Sequence, residues 1–171
     1  MTLMRAILIL IATAAFIAAP AVTTPFTGYD PGMFPVVIAH PSIQPAGYAF
    51  AIWGLIYAWL LVHAGFGLMR RSDPVWDAVR LPHLGGLLLG TVWLAIASLY
   101  PLTATAAIVV MAGFTLWAFL VASPARDLWL LAAPLGLFAG WLTAASMVSL
   151  GVMLAGYGWL SDTGAALTML A

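Results

Sequence analysis

The side chains able to do chemistry in this sequence are rings, hydroxyls and three imidazoles. The stretch QPAGYAFAIWGLIYAWLL, residues 44–61, concentrates the rings. A helix turns about 100° per residue, so Phe50, Trp53 and Tyr57 fall within about 60° of one another and form one stripe two turns long. Trp59 points the opposite way, toward lipid or a neighbouring helix, and Gly47 and Gly54 mark a second face that would admit a close neighbour. Further on, Gly86, Gly90, Trp93, Ala97 and Tyr100 share a stripe. Gly136, Gly140 and Ala144 repeat at four-residue spacing with Trp141 one step away and Ser149 following on its side, and Gly113 and Trp117 recur between them. The chemistry such rings offer is stacking and apolar burial of a flat molecule. Interfacial anchoring accounts for Trp76, Trp129 and Trp159, at the ends of apolar runs. It accounts poorly for Trp53, Trp93, Trp117 and Trp141, which lie inside them. Spacing alone leaves an aromatic pocket and plain core packing equally open.

The remaining reactive groups are sparse. No cysteine is present, so there are no thiolate ligands or disulfides. There is no phosphate-cradling loop, nucleophile–base pair or carboxylate dyad, and no catalytic residue is assigned. Thr91, Ser98, Thr115, Thr143, Ser146 and Ser149 are expected to bond helix backbone. His63 lies well over 100° from the Phe50–Trp53–Tyr57 stripe. It could approach His83; a metal or haem held by the pair is the weaker reading beside a helix-contact role, and no metal site is assigned. His40, in a long loop, is placed to meet a ligand carboxylate.

These groups need elements to position them. With 65% hydrophobic residues, 6% charged and a mean hydropathy of +1.12, the chain is read as an integral membrane protein. Five arginines and five aspartates, with no lysine or glutamate, give zero net charge, so nucleic acid is not an expected partner. Apolar runs cover about 6–24, 46–69, 82–100, 102–123 and 128–157. They are continuous rather than alternating, which predicts helices and not barrel strands. The fold class expected is therefore an all-α bundle of five transmembrane helices in a single membrane domain. The first run also has the composition of a signal peptide; its length favours a retained helix. No span so defined contains a charge, which argues against ion-coupled transport.

Arg5, Arg70, Arg71, Arg80 and Arg126 all fall on one side of this layout. The positive-inside rule assigns that side to the cytoplasm, in a bacterial inner membrane, with loop 25–45 outside. That loop holds Pro25, Pro31, Pro35, Pro41 and Pro45 beside Phe26, Tyr29 and Phe34. Proline makes it extended and stiff, and its rings suit a lid over the bundle mouth or a segment buried among headgroups. After Trp159, Ser161 or Asp162 can cap a short helix. That helix either lies at the interface or begins a sixth crossing, and the second is favoured.

The pattern P-x(7)-W-G-x-x-Y, as Pro45, Trp53, Gly54 and Tyr57, resembles the second-helix signature of the TspO/translocator family of tryptophan-rich sensory proteins. The proline-rich first loop, Trp93, and WLTAAS from Trp141 are similar to that family as well. The resemblance implies a TspO-type five-helix bundle with a pocket below the first loop that binds porphyrins and other flat apolar ligands. A tetrapyrrole would then be ligand rather than obligatory cofactor. By position, Trp53 and Trp141 match the family's pocket tryptophans. The candidate ligand-binding set is Phe50, Trp53, Tyr57, Trp93, Trp141, Ser149 and His40. The chain departs from the family where adjacent prolines are usual (Pro45–Ala46), where tryptophan is usual (Tyr48), and where asparagines are usual (Gly90 and Ser149). Two other readings stand beside a receptor: an accessory subunit of a larger membrane complex, packing partners on Gly86/Gly90 and Gly136/Gly140, and an uncoupled carrier of apolar solutes. A homodimer is compatible with either. No enzymatic step is expected, although light-driven oxidation of the pocket by a bound tetrapyrrole is conceivable in such a family.

Overall fold

The computed structural model describes residues 2–23 and 26–171, and among these every regular element is helical. Thr24 and Pro25, where the first span and the loop meet, lie outside the described residues. Helix α1 spans Thr2–Ala18 and ends in a 3-10 turn, Ala19–Ala21. A 3-10 turn at Gly47–Ala51 leads into α2, Ile52–Met69. Next come α3, Pro74–Ala97, α4, Pro101–Val121, and a single turn α5, Pro124–Asp127. A π-helical turn, Leu128–Ala132, joins α5 to α6, Ala133–Gly156, and α7 covers Asp162–Leu170. Among the described residues, five segments are long and apolar enough to cross a membrane: Thr2–Ala21, Gly47–Met69, Pro74–Ala97, Pro101–Val121 and Ala125–Gly156. Neighbour contacts arrange the crossings in the ring α1–α2–α6–α4–α3, which closes on α1.

The third crossing begins at Pro74 rather than near Pro82, and it carries charge. Asp73 caps it, accepting from the Val75 amide at 2.9 Å, and Pro74 takes the first-turn position where no amide hydrogen is needed. That amide bond, reinforced by Arg126 at 3.2 Å, holds the Asp73 carboxyl below its ordinary range. Asp77 and Arg80, where a hydropathy reading would stop the span, pair at 2.9 Å within the helix. Arg80 is only 4% exposed. Its guanidinium donates to the carbonyls of Gly67, Arg70 and Arg71 at 3.0, 3.1 and 3.0 Å. These carbonyls belong to the last turn of α2 and the turn after it, where helical partners run out, and the Arg70 carbonyl also accepts from the Asp73 amide, so a cation there supplies donors and opposes the negative end of the helix dipole. Asp77 also accepts from Arg5 of α1 at 2.7 Å, so one network ties three helices. Trp76, expected at the interface, is 1% exposed instead. Its indole donates to Asp127 at 2.9 Å and its ring stacks on His63 at 5.0 Å.

Glycines mark where helices touch. A Cβ on Gly86 would lie 2.7 Å from Thr115, one on Gly90 2.5 Å from Phe16, and one on Gly136 2.9 Å from Phe119. These seams are filled within the chain. Gly47 and Gly54, by contrast, have nothing within 4 Å, so the second face expected on α2 receives no helix here, and Gly140 is equally open.

The loop docks on the far end of the bundle. The Val36 amide donates to the Gly156 carbonyl at 2.9 Å, and Phe34 packs so closely that only glycine fits at 156. Ser42 donates its amide to Asp162 at 3.0 Å and its hydroxyl to the same carboxylate. Gln44 bridges back to the Thr27 carbonyl at 2.7 Å, and Gly28, at φ +133°, supplies the turn that L side chains disfavour. Ser161 caps α7, accepting from the Gly164 amide at 3.1 Å, and Ala165 and Ala166 are buried against the chain. At nine residues α7 is well short of the roughly 20 that a crossing requires, and it lies against α6.

Removing the buried cation should loosen the ends of α2 and α3 together. Arg80→Met is expected to cost about 3 kcal/mol and lower the thermal midpoint in detergent by roughly 6–12 °C, while exposed Arg71→Met leaves it within about 1 °C. The glycine contacts predict a second contrast. Gly90→Ala should destabilise by about 1–3 kcal/mol through overpacking. Gly54→Ala should be neutral or stabilise by up to about 1 kcal/mol, through helix propensity.

Candidate functional site

In the half of the bundle nearest the loop, the helices enclose a cavity of about 320 Å³. Side chains from every crossing face it. The 3-10 turn before α2 supplies Phe50, and the start of α2 supplies Trp53 and Tyr57, at the spacing that puts them on one side of a helix. Trp53 and Tyr57 stack at 5.3 Å and 28°, and Phe16 of α1 meets them edge-on at 5.9 and 5.3 Å. Trp141 of α6 stands edge-on to Trp53 at 6.2 Å and to Phe50 at 6.3 Å. Offset and edge-to-face pairs of this kind bring the positive ring edge to the negative face and fix the rings against one another.

Trp93 completes the wall from α3. Its indole donates to the Ala104 carbonyl of α4 at 2.8 Å, so its polar edge is satisfied and its ring is free to pack. Room for these rings comes from small residues: Gly90 on α3, and Ala144 and Ala145 on α6. The loop forms part of the wall through Phe26, Tyr29, Gln44 and Pro45, and Phe26 sits edge-on to Trp93 at 5.0 Å. The lid position is thus held by ring contact as well as by the Val36 backbone bond to α6 and the Ser42 bonds to Asp162 of α7.

Three polar features enter this wall: the Gln44 amide, the Trp141 indole N–H, which is buried with no hydrogen-bond partner among the described residues, and a hydroxyl cluster in which Tyr29 lies 3.4 Å from Thr105 as well as against Ser149. The Tyr29 hydroxyl lies 2.7 Å from Ser149 Oγ, and Ser149 lies 3.0 Å from Thr105 Oγ1, which donates to the Pro101 carbonyl at 2.9 Å. Burial pushes the Tyr29 phenol up from its ordinary pKa, so it stays protonated throughout the neutral range. Among the described residues, no aspartate, arginine or histidine lines the cavity.

Of the seven residues singled out from sequence, the wall contains Phe50, Trp53, Tyr57, Trp93, Trp141 and Ser149. His40 does not belong to it. It is exposed and is not among the lining residues, although the next residue, Pro41, is. Trp117 and Tyr100, which spacing grouped with the interior, are 50% and 62% exposed and face outward. Phe16 and Tyr29 were not singled out. Phe16 had a signal, since Ile9, Ala12, Thr13 and Phe16 repeat at helical spacing and are all buried. Tyr29, within an irregular loop, offered none.

The histidines of the spans lie deeper and apart from the cavity. His63 and His83 meet edge-on at 5.3 Å, and both are buried. His63 Nδ1 bonds the Leu130 carbonyl at 2.8 Å, within the π-helical turn, which ties α2 to the base of α6. His83 packs edge-on against Phe138, which separates the pair from the aromatic chamber by its contacts to Phe16 and Trp53. Among the described residues no group of three or more metal-ligating side chains comes together.

A model of the TSPO-like protein family matches residues 4–171. No curated protein and no solved structure gives a significant match to the chain. The family match covers all five crossings, the loop and α7. With the helical ring and the chamber below its first loop, it makes this chain an integral membrane protein of the TSPO-like family, a family of membrane sensory and ligand-binding proteins.

Proposed function

We propose that the protein is a membrane receptor that binds flat apolar ligands, tetrapyrrole-like macrocycles among them, in the chamber beneath the first loop. The observation that carries this reading is the convergence of rings from four crossings, α1, α2, α3 and α6, around a space they do not fill. A core packed for stability alone leaves few voids larger than a water molecule, since each costs dispersion and transfer energy. A hollow of about 320 Å³ lies at the small end of the range of roughly 300–1,000 Å³ found for ligand sites. Binding would draw on apolar burial at about 25 cal/mol per Å² and on stacking.

The absence of carboxylate and imidazole from the described wall supports binding rather than turnover, because acid–base catalysis needs such a group within reach. It also favours holding the ring system of a macrocycle, with any acidic arms directed outside. Since Gly86, Gly90 and Gly136 already receive side chains of this same chain and only Gly140 of the two seams is open, the receptor reading is favoured over an accessory subunit using those seams. All five arginines belong to the end opposite the loop, which by the positive-inside rule puts the loop outside and the ligand's approach from that side or from the bilayer.

Adding protoporphyrin to the detergent-purified protein should quench tryptophan fluorescence saturably. The Trp53→Ala, Trp141→Ala double variant should lose most of the saturable phase and retain only the linear loss from light absorption. Quenching of equal depth and midpoint in the double variant would remove the chamber as the site.

A further inference from the structure

The chamber has a rim in mid-membrane. Three of its lining residues are exposed: Pro20 and Gln44 beside the loop, and Ala144 on α6. Gln44 closes the loop edge by donating to the Thr27 carbonyl at 2.7 Å. Ala144 lies twelve residues before Gly156, so at 1.5 Å per residue it is about 18 Å below the loop end of α6. In a hydrocarbon layer about 30 Å thick, that depth meets lipid chains and not water. A side chain of one methyl that lines a cavity and is also exposed stands at its edge. Gly140, one turn deeper, is exposed as well, and nothing lies within 4 Å of where its Cβ would be.

The seam beside this rim is fastened unevenly. At its base Trp59 donates to the Trp129 carbonyl at 2.8 Å, the two indoles stack at 6.2 Å, and His63 bonds the Leu130 carbonyl at 2.8 Å. Above Trp59, no hydrogen bond among the described residues joins α2 to α6. The α6 hydroxyls at that height reach α4 instead, Ser146 the Ile108 carbonyl and Ser149 the Thr105 hydroxyl. What closes the upper seam is Trp141, edge-on to Phe50 and Trp53. The Trp93 indole is held by its bond to Ala104. The Trp141 N–H has no such partner among the described residues, so this ring can swing without breaking a hydrogen bond.

From these observations we infer that the chamber opens sideways into the bilayer between α2 and α6, at the level of Ala144, and that an acyl chain of the surrounding lipid enters it. Trp141 is the movable edge. The inference rests on the receptor reading above and adds the route: a ligand reaches the chamber from the hydrocarbon by displacing a lipid chain. Exchange of one apolar occupant for another strands no polar group. A flat ring system gains stacking on Trp53 and Tyr57 that an acyl chain lacks, which favours the ligand.

A phosphatidylcholine with a diazirine midway along one acyl chain tests this in vesicles holding the intact protein, because its headgroup keeps it in the bilayer. Irradiation and peptide mapping should place adducts on Phe16, Trp53 or Tyr57 of the chamber as well as on outward-facing Trp117. Pyrene at roughly ten times the Kd read from tryptophan quenching should lower the chamber adducts roughly tenfold and leave those on Trp117 unchanged. Ala144→Phe, which puts a ring on the rim, should lower the chamber adducts to about the level left by pyrene. Adducts confined to outward-facing residues overturn the inference, and so do chamber adducts that Ala144→Phe leaves at the wild-type level. If that variant does not fold, the wild-type map and its competition by pyrene decide. Saturable quenching by pyrene without chamber adducts keeps the receptor reading and removes only the lateral opening. Chamber adducts without saturable quenching do the reverse.

Discussion

The guanidinium of Arg80 sets the height at which everything else in the bundle meets. By donating to the last carbonyls of α2 from the second turn of α3, it levels Gly67 with Arg80. The two helices run antiparallel from that point. Trp53 lies fourteen residues before Gly67 and Trp93 thirteen after Arg80, so at 1.5 Å per residue both sit about 20 Å from the charged layer. The bond from His63 to the Leu130 carbonyl does the same for α6. Trp53 is ten residues from His63 and Trp141 eleven from Leu130, which again brings two indoles to one level. The aromatic chamber is therefore a consequence of two polar contacts far from it. In a hydrocarbon solvent such contacts have no water to compete with them, and a register once set is kept.

The two ends of the bundle are closed by different physics. At the arginine end, Asp73, Asp77 and Asp127 pair with Arg126, Arg5, Arg80 and Arg70, and Trp76 fills the space beneath. Nothing about that end would let a solute pass without leaving a buried charge unpaired, which is costly. At the loop end the closure is by rings, by two backbone-level ties to α6 and α7, and by a chain that prolines keep from collapsing into the space below. Such a closure can part without stranding any charge. The asymmetry suits a chamber that is entered and left from one side, and it runs against a carrier that must open on both.

How far this could be read from sequence follows from what each signal encodes. Periodicity gave the Phe50–Trp53–Tyr57 stripe because helical spacing alone decides which residues share a face. The family resemblance added Trp141 and Ser149. Hydropathy hid the third helix's first two turns, because Asp77 and Arg80 read as water-facing until each is seen to neutralise the other and to cap α2. Glycine spacing showed where helices are able to touch but not whether a neighbour is there: Gly90 receives Phe16, whereas Gly54 receives nothing. Trp117 and Tyr100 were misplaced for the same reason, since a ring inside an apolar run looks alike whether it faces lipid or interior. Tyr29 and His40 share a loop with no period, and only the loop's docking separates the one in the wall from the one outside it.

The hydroxyls of the helices show how backbone geometry decides where a polar group inside the bundle is spent. A serine or threonine within a helix finds the carbonyl one turn back within reach, and that carbonyl can only accept. Thr91, Thr143 and Ser146 all donate to such carbonyls, those of Leu87, Ala139 and Leu142, and Thr105 does so to Pro101. Each oxygen is left with acceptor capacity pointing away from its own helix. Ser146 and Ser149 both reach across to α4, Ser146 to the Ile108 carbonyl at 3.2 Å and Ser149 to Thr105 Oγ1 at 3.0 Å, and Ser149 also meets the Tyr29 hydroxyl at 2.7 Å. A membrane protein with no charge to place in its chamber can still fasten its loop there, because a hydroxyl that leaves its own helix gives a loop tyrosine a partner that water need not supply.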